Sequence, residues 1–79
     1  MNRAEVYEKL NEVFREEFDD ETLTVEDATT ASDVDGWDSL EHIDLIAAVE
    51  DAFSVHFTMP EVTKMKNVGE MVDLILQKL

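Results

Sequence analysis

Apolar residues recur at intervals of three and four in three separate segments of this chain, and nowhere do they alternate over a strand's length. Val6, Tyr7, Leu10, Val13, Phe14 and Phe18 form the first set. Leu45, Ile46, Val49 and Phe53 form the second, and Val68, Met71, Val72, Ile75, Leu76 and Leu79 the third. That period belongs to amphipathic helices. With 79 residues and no cysteine, the chain has no disulfide to hold it, so these stripes must bury one another. The pattern predicts an all-α small helical bundle of three main helices plus one short helix, in a single domain over residues 1–79.

Local signals mark where each helix begins. Asn2 and Glu5 have capping-box spacing, as do Asp38 and Glu41. The first helix is expected from Asn2 to about Phe18 and the second from Asp38. Thr58, with Pro60 and Glu61 behind it, opens the short helix, and Asn67 with Glu70 opens the last. Only SVHF, residues 54–57, leaves a strand open. Between the first two helices lie twenty residues, DDETLTVEDATTASDVDGWD, a long loop for so small a domain. Leu23, Val25 and Val34 are expected to pin it to the core.

Twenty acidic residues against six basic ones leave a net charge of −14. Phosphate backbones and anionic membrane surfaces would be repelled, so neither nucleic acid nor membrane is an expected partner. A basic patch on another protein is the natural complement, approached fast and salt-sensitively. Like charge also favours a monomer. The opening MNRAEVYEKL lacks an apolar signal core, and no stretch is long enough to span a bilayer. The expected location is cytoplasmic, although an organellar protein that has shed its transit peptide has the same features.

Ser39 raises the functional question, standing in DVDGWDSLEHIDL just where the second helix starts. Serine is common at helix starts, so it needs no special role there. A calcium loop built around Gly36 fails, because the EF-hand register puts Ala31 and His42 where acidic ligands belong. A hydrolase serine needs a base and an orienting acid. His42 lies three residues on, but no G-x-S-x-G elbow surrounds Ser39. A covalent attachment point fits better. With Asp38 as cap, Ser39 is the first helical residue and its hydroxyl should face solvent, near N–H groups that favour a phosphodiester. Asp35, Asp38 and Glu41 oppose that charge, so accessibility to a modifying enzyme matters more than the helix end.

Gly36-Trp37-Asp38-Ser39-Leu40 resembles the G-x-D-S-L signature of the acyl carrier protein family. Length, acidity, the long first loop and the helix order resemble that family over nearly the whole chain. The resemblance implies a non-catalytic carrier. Ser39 would bear covalent 4′-phosphopantetheine derived from coenzyme A, with Asp38 and Leu40 flanking it. The arm's thiol would carry acyl groups as thioesters, which a chain without cysteine cannot do itself. The second helix would be the main docking surface, with Leu40, Glu41, Asp44, Ala48 and Asp51 on it, joined by Val62 and Met65, the inward or edge contacts of the short helix. The implied partners are a phosphopantetheinyl transferase, an acyl-loading ligase or transferase, and synthase-type enzymes with basic docking patches.

Housekeeping fatty-acid carriers have an acidic third helix, whereas here Lys64 and Lys66 stand in FTMPEVTKMK. That departure favours a specialised polyketide, cell-envelope or aminoacyl pathway. The alternatives are the housekeeping fatty-acid carrier and an unmodified acidic helical adaptor that docks on basic protein surfaces. Trp37 is read as a loop-packing residue placed where a partner can also touch it.

Overall fold

Asn2 accepts a hydrogen bond from the Glu5 N–H at 2.9 Å, and the Glu5 carboxylate accepts the Asn2 N–H at 3.0 Å. The first predicted helix start is therefore a closed capping box. In a computed structural model of residues 1–79 it opens α1 (Arg3–Glu17), which is followed by α2 (Ser39–Phe53), α3 (Met59–Lys64) and α4 (Val68–Lys78). One 3-10 turn spans Ala31–Asp33, and there is no strand, SVHF included. Thr58 and Glu61 close the box of α3 in the same way, at 3.4 and 2.8 Å.

The start of α2 corrects one expectation. Asp38 caps the Glu41 N–H at 2.8 Å, but the Glu41 side chain does not return the bond. It turns toward α1 instead.

Thirteen buried apolar side chains make one contiguous core. Val6, Leu10 and Phe14 come from α1; Leu45, Ile46, Val49 and Phe53 from α2; Val68, Met71, Val72 and Ile75 from α4. Val25 and Phe57 enter from the connections. α1 packs on both α2 and α4, while α3 covers an edge. Leu79 departs from expectation: beyond the last turn of α4 it is exposed, and Leu74 packs against the core in its stead.

The long connection is fastened down. Val25 is buried in the core and Leu23 packs on it, as their apolar character predicts; Val34 is buried too, but outside that cluster. Polar ties add register. The Asn11 side chain accepts the Val25 N–H at 2.7 Å, and Arg15 Nε donates to the Leu23 carbonyl at 2.7 Å. At the far side, the first N–H groups of α4 lack acceptors within their own helix. The loop supplies them: Val68 N–H donates to the Thr29 carbonyl at 2.9 Å, and Gly69 N–H to the Asp27 carbonyl at 3.1 Å. A Cβ at Gly69 would lie 3.0 Å from that carbonyl oxygen, so any side chain there needs the Asp27 backbone to give way by a few tenths of an ångström. Asp27 is held in turn by Arg3 at 2.7 Å and by the Tyr7 hydroxyl, which donates to the same carboxylate oxygen.

Candidate functional site

Gly36 lets the loop turn sharply into α2. Its φ of +87° is a left-handed conformation, and nothing lies near the place where a side chain would go, so the backbone alone demands glycine. The turn is closed by Trp37 N–H donating to the Val34 carbonyl at 3.2 Å. Trp37 then swings onto the bundle, edge-on to Phe14 with ring centres 5.3 Å apart. Asp38 caps, and Ser39 follows as the first residue of α2.

Ser39 is exposed, and no hydrogen bond holds its hydroxyl. The chain has two other serines, Ser32 and Ser54, and both are exposed as well. Exposure alone therefore does not single out Ser39. Its surroundings do. Ser39 stands at the rim of a half-open groove of about 590 Å³, walled by Trp37, His42, Ile43, Met59, Val62 and Met65. Neither of the other serines lines that groove. Asp38 shares the rim with Ser39.

His42 is not placed to act as a base for Ser39. Its Nδ1 accepts the Trp37 indole N–H at 3.1 Å, and its Nε2 lies 3.3 Å from the Val62 carbonyl. Both ring nitrogens are engaged away from the serine. Two acids of the calcium-like stretch are likewise occupied: Asp33 accepts the Thr30 N–H, and Asp38 caps α2.

A different set of acids gathers. Glu17 at the end of α1 meets Glu41 and Asp44 of α2, with a carboxylate oxygen of each within 4.8 Å of the others. Burial pushes the Glu41 carboxyl above the usual range, and the Glu17 carboxyl adds to the shift, followed by Asp44 and Asp38. One Glu41 oxygen is out of solvent and has no hydrogen-bond partner.

The outer face of α2 is displaced from the expected one. Leu40, Asp44 and Asp51 are exposed, as expected. Glu41 and Ala48 are half-buried flanks, and Ala47 and Ile43 take the outward positions. Leu40, Ile43 and Met59 are 74%, 62% and 72% exposed, high values for large apolar side chains. Val62 and Met65 are half-buried walls of the groove, packed against the core as inward contacts. Counting threes and fours outward from Leu45, Ile46, Val49 and Phe53 would have found Ile43 and Ala47. The same count places His42 on the inner side, four residues before Ile46.

Comparison with known proteins accords with this geometry. The family model described as the phosphopantetheine attachment site matches residues 8–75. The chain is 32% identical to an acyl carrier protein of Guillardia theta, covering all of this chain and 98% of that protein. It is 36% identical to an acyl carrier protein of Petrotoga mobilis, covering all of this chain and 93% of that one. Its fold is similar to the solution structure of a holo acyl carrier protein from Geobacter metallireducens, with a TM-score of 0.86 and 38% identity over 92% of this chain and 84% of that chain.

Proposed function

The chain belongs to the acyl carrier protein family, whose cofactor is covalent 4′-phosphopantetheine, and on that premise we propose that Ser39 is the residue that bears the arm. Members of the family are non-catalytic carriers, so the chain's task is to present its cargo to other enzymes. When bound, the arm supplies the thiol that holds an acyl group as a thioester. All else falls to the residues.

One observation carries the reading: of three exposed serines, Ser39 alone has its hydroxyl free at the start of a long helix and at the rim of an apolar groove. The site fits the group on both counts. The helix end favours a phosphodiester by about 0.3–1 kcal/mol, which Asp38 partly offsets. The groove offers an apolar wall to whatever lies along it. Phe14, packed under Trp37, keeps the turn before Ser39 in place.

The outer face of α2 supports docking on basic surfaces. Leu40, Ile43 and Ala47 give it a flat apolar strip, and Asp44 and Asp51 flank that strip with charges that no cation of the chain neutralises. A phosphopantetheinyl transferase, an acyl-loading ligase or transferase and synthase-type enzymes are the partners such a face suits. Domain 1–79 acts as one carrier unit in this reading.

The pathway is a specialised one, polyketide, cell-envelope or aminoacyl, rather than general fatty-acid synthesis. The exposed Lys64 and Lys66 support this, since they put positive charge at one edge of an otherwise acidic face.

Incubation with coenzyme A and a broad-range phosphopantetheinyl transferase, followed by intact-mass measurement, tests the attachment. The natural chain and Ser32→Ala each gain one phosphopantetheine, and Ser39→Ala gains none; a mass gain in Ser39→Ala overturns the assignment. Replacing the housekeeping carrier in a reconstituted fatty-acid synthase tests the pathway. Near-normal turnover with this chain would contradict the specialised reading.

A further inference from the structure

The indole N–H of Trp37 can only donate, so the His42 Nδ1 that faces it at 3.1 Å must be the nitrogen with the lone pair. The ring proton of neutral His42 therefore sits on Nε2, which points at the Val62 carbonyl 3.3 Å away. That carbonyl belongs to the last turn of α3, where no later N–H of the same helix accepts the role of donor. One neutral imidazole thus joins three parts of the molecule: the turn before Ser39, the first turn of α2, and α3. The two rings also stack, with centres 5.9 Å apart.

We infer that His42 is a positioning residue that hooks the turn carrying Ser39 to α2 and α3 only while its imidazole is neutral, so that protonation unhooks Trp37 and loosens the groove wall beside Ser39. The chemistry is one-sided. A proton added to His42 goes to Nδ1, the nitrogen that accepts from Trp37. Two N–H donors then face each other and that hydrogen bond is lost. The Nε2–H bond to Val62 survives, because the imidazolium still donates there. Trp37 remains wedged on Phe14 and Phe18, so the release is local to the turn and does not unfold the bundle.

The charged groups around His42 are few. Asp38 and Lys66 share the groove with it. The Asp38 carboxylate is engaged by the Glu41 N–H. Glu41 adjoins it on α2 but turns to Glu17 of α1, and Glu61 of α3 is turned to Lys78 at 3.0 Å. Thr63, Asn67 and Met71 bring no charge from α3 and α4. The hook is thus governed by the imidazole rather than by a neighbouring ion pair. Its consequence for loading rests on Ser39 being the attachment residue; the hook itself does not.

Nuclear magnetic resonance on the full, unmodified chain separates the two. The single tryptophan gives a single indole N–H signal. Between about pH 8 and pH 5, the range over which imidazoles titrate, that signal shifts with the His42 ring. Compared with the non-titrating His42→Gln variant at the same pH, its exchange with water is roughly five-fold faster at the acid end, the factor an ordinary net hydrogen bond is worth. At the high-pH end the ring nitrogens report the Nε2–H tautomer. His42→Gln keeps an acceptor and a donor but cannot titrate, so its indole signal stays hooked and flat across the range. His42→Ala is unhooked throughout. His56→Gln, which alters the solvent-exposed ring beside Glu50, should leave the response of the indole signal unchanged. An Nδ1–H tautomer, an indole signal that ignores the titration of His42, or a His42→Gln variant that shifts like the natural chain would each overturn the inference. None of these readouts depends on whether Ser39 is ever modified.

Discussion

Asp27 and Glu41 both lie against α1, and they meet opposite company there. Asp27 sits by the first turns of α1, where the Tyr7 hydroxyl and then Arg3 hold its carboxyl below the usual range. Arg3 also reaches Asp73 of α4 at 2.7 Å, so one guanidinium seams the loop, α1 and α4 together. Glu41 sits by the last turn of α1, where burial and the Glu17 carboxyl push it the other way. The negative end of α1 adds to the disfavour. With only six cations, the chain cannot match all its acids. Arg3 and Lys78 pair with acids elsewhere, Arg15 ties the loop to α1, and Lys9 lies over the Phe53 ring. No lysine or arginine pairs with an acid of α2. Where charge is matched, the molecule is being held together. Where it is left unmatched beside exposed apolar side chains, the surface is the face proposed for docking.

Substitutions on the two sides should therefore behave differently. The largest effect on stability is expected at the seam. Gly69→Ala pushes a methyl group toward the Asp27 backbone, which Arg3 and Tyr7 prevent from yielding, and urea denaturation should show a loss of about 1–3 kcal/mol. Unchanged stability would mean that the loop is held less firmly than its bonds imply.

Asp27→Asn comes next, with a lower Tm at neutral pH. Because the folded Asp27 titrates below its unfolded value, its stabilisation is present above the ordinary aspartate range and fades as pH falls through the folded value. Thermal melts of the natural chain should lose stability over that acidic window, and the asparagine variant should lose less.

On the other side, Asp51→Lys should leave the melting curve nearly untouched, and Asp44→Lys should raise it slightly by relieving Glu17 and Glu41. Each should slow transferase loading roughly two- to five-fold at low salt, and by less as salt is added. Loss of stability without loss of loading would reverse the roles assigned to the two sides.

The smallest effect has the opposite sign. Folded Glu41 titrates above its unfolded value, so its ionised form is disfavoured by folding and stability falls as pH rises between the two. Glu41→Gln should raise Tm at neutral pH and remove that part of the pH dependence.

Much of the fold was legible because helix starts are local events. Asn2, Asp38, Thr58 and Asn67 each lie three residues before the glutamate whose N–H they accept, and three-residue spacing is visible in a sequence. The apolar stripe of α2 was legible for the same reason, residue for residue. The seam was not. Asp27 lies 24 residues from Arg3, and nothing short-range distinguishes it from the other acids of the loop. The turn of Glu41 toward Glu17 was also hidden, because it depends on how α1 and α2 cross. The signature at Ser39 pointed to the proposed attachment site, while the hydrogen bonds of His42 to Trp37 and Val62 needed the packed structure.

The contrast between the two sides is tested most directly by titrating the isotope-labelled chain with a phosphopantetheinyl transferase at low salt and following its backbone amide signals. The account predicts shifts or broadening at Leu40, Ile43, Asp44, Ala47 and Asp51, with Arg3, Asp27 and Asp73 unmoved. Perturbation centred on Arg3, Asp27 and Asp73, with the outer face of α2 silent, would contradict it.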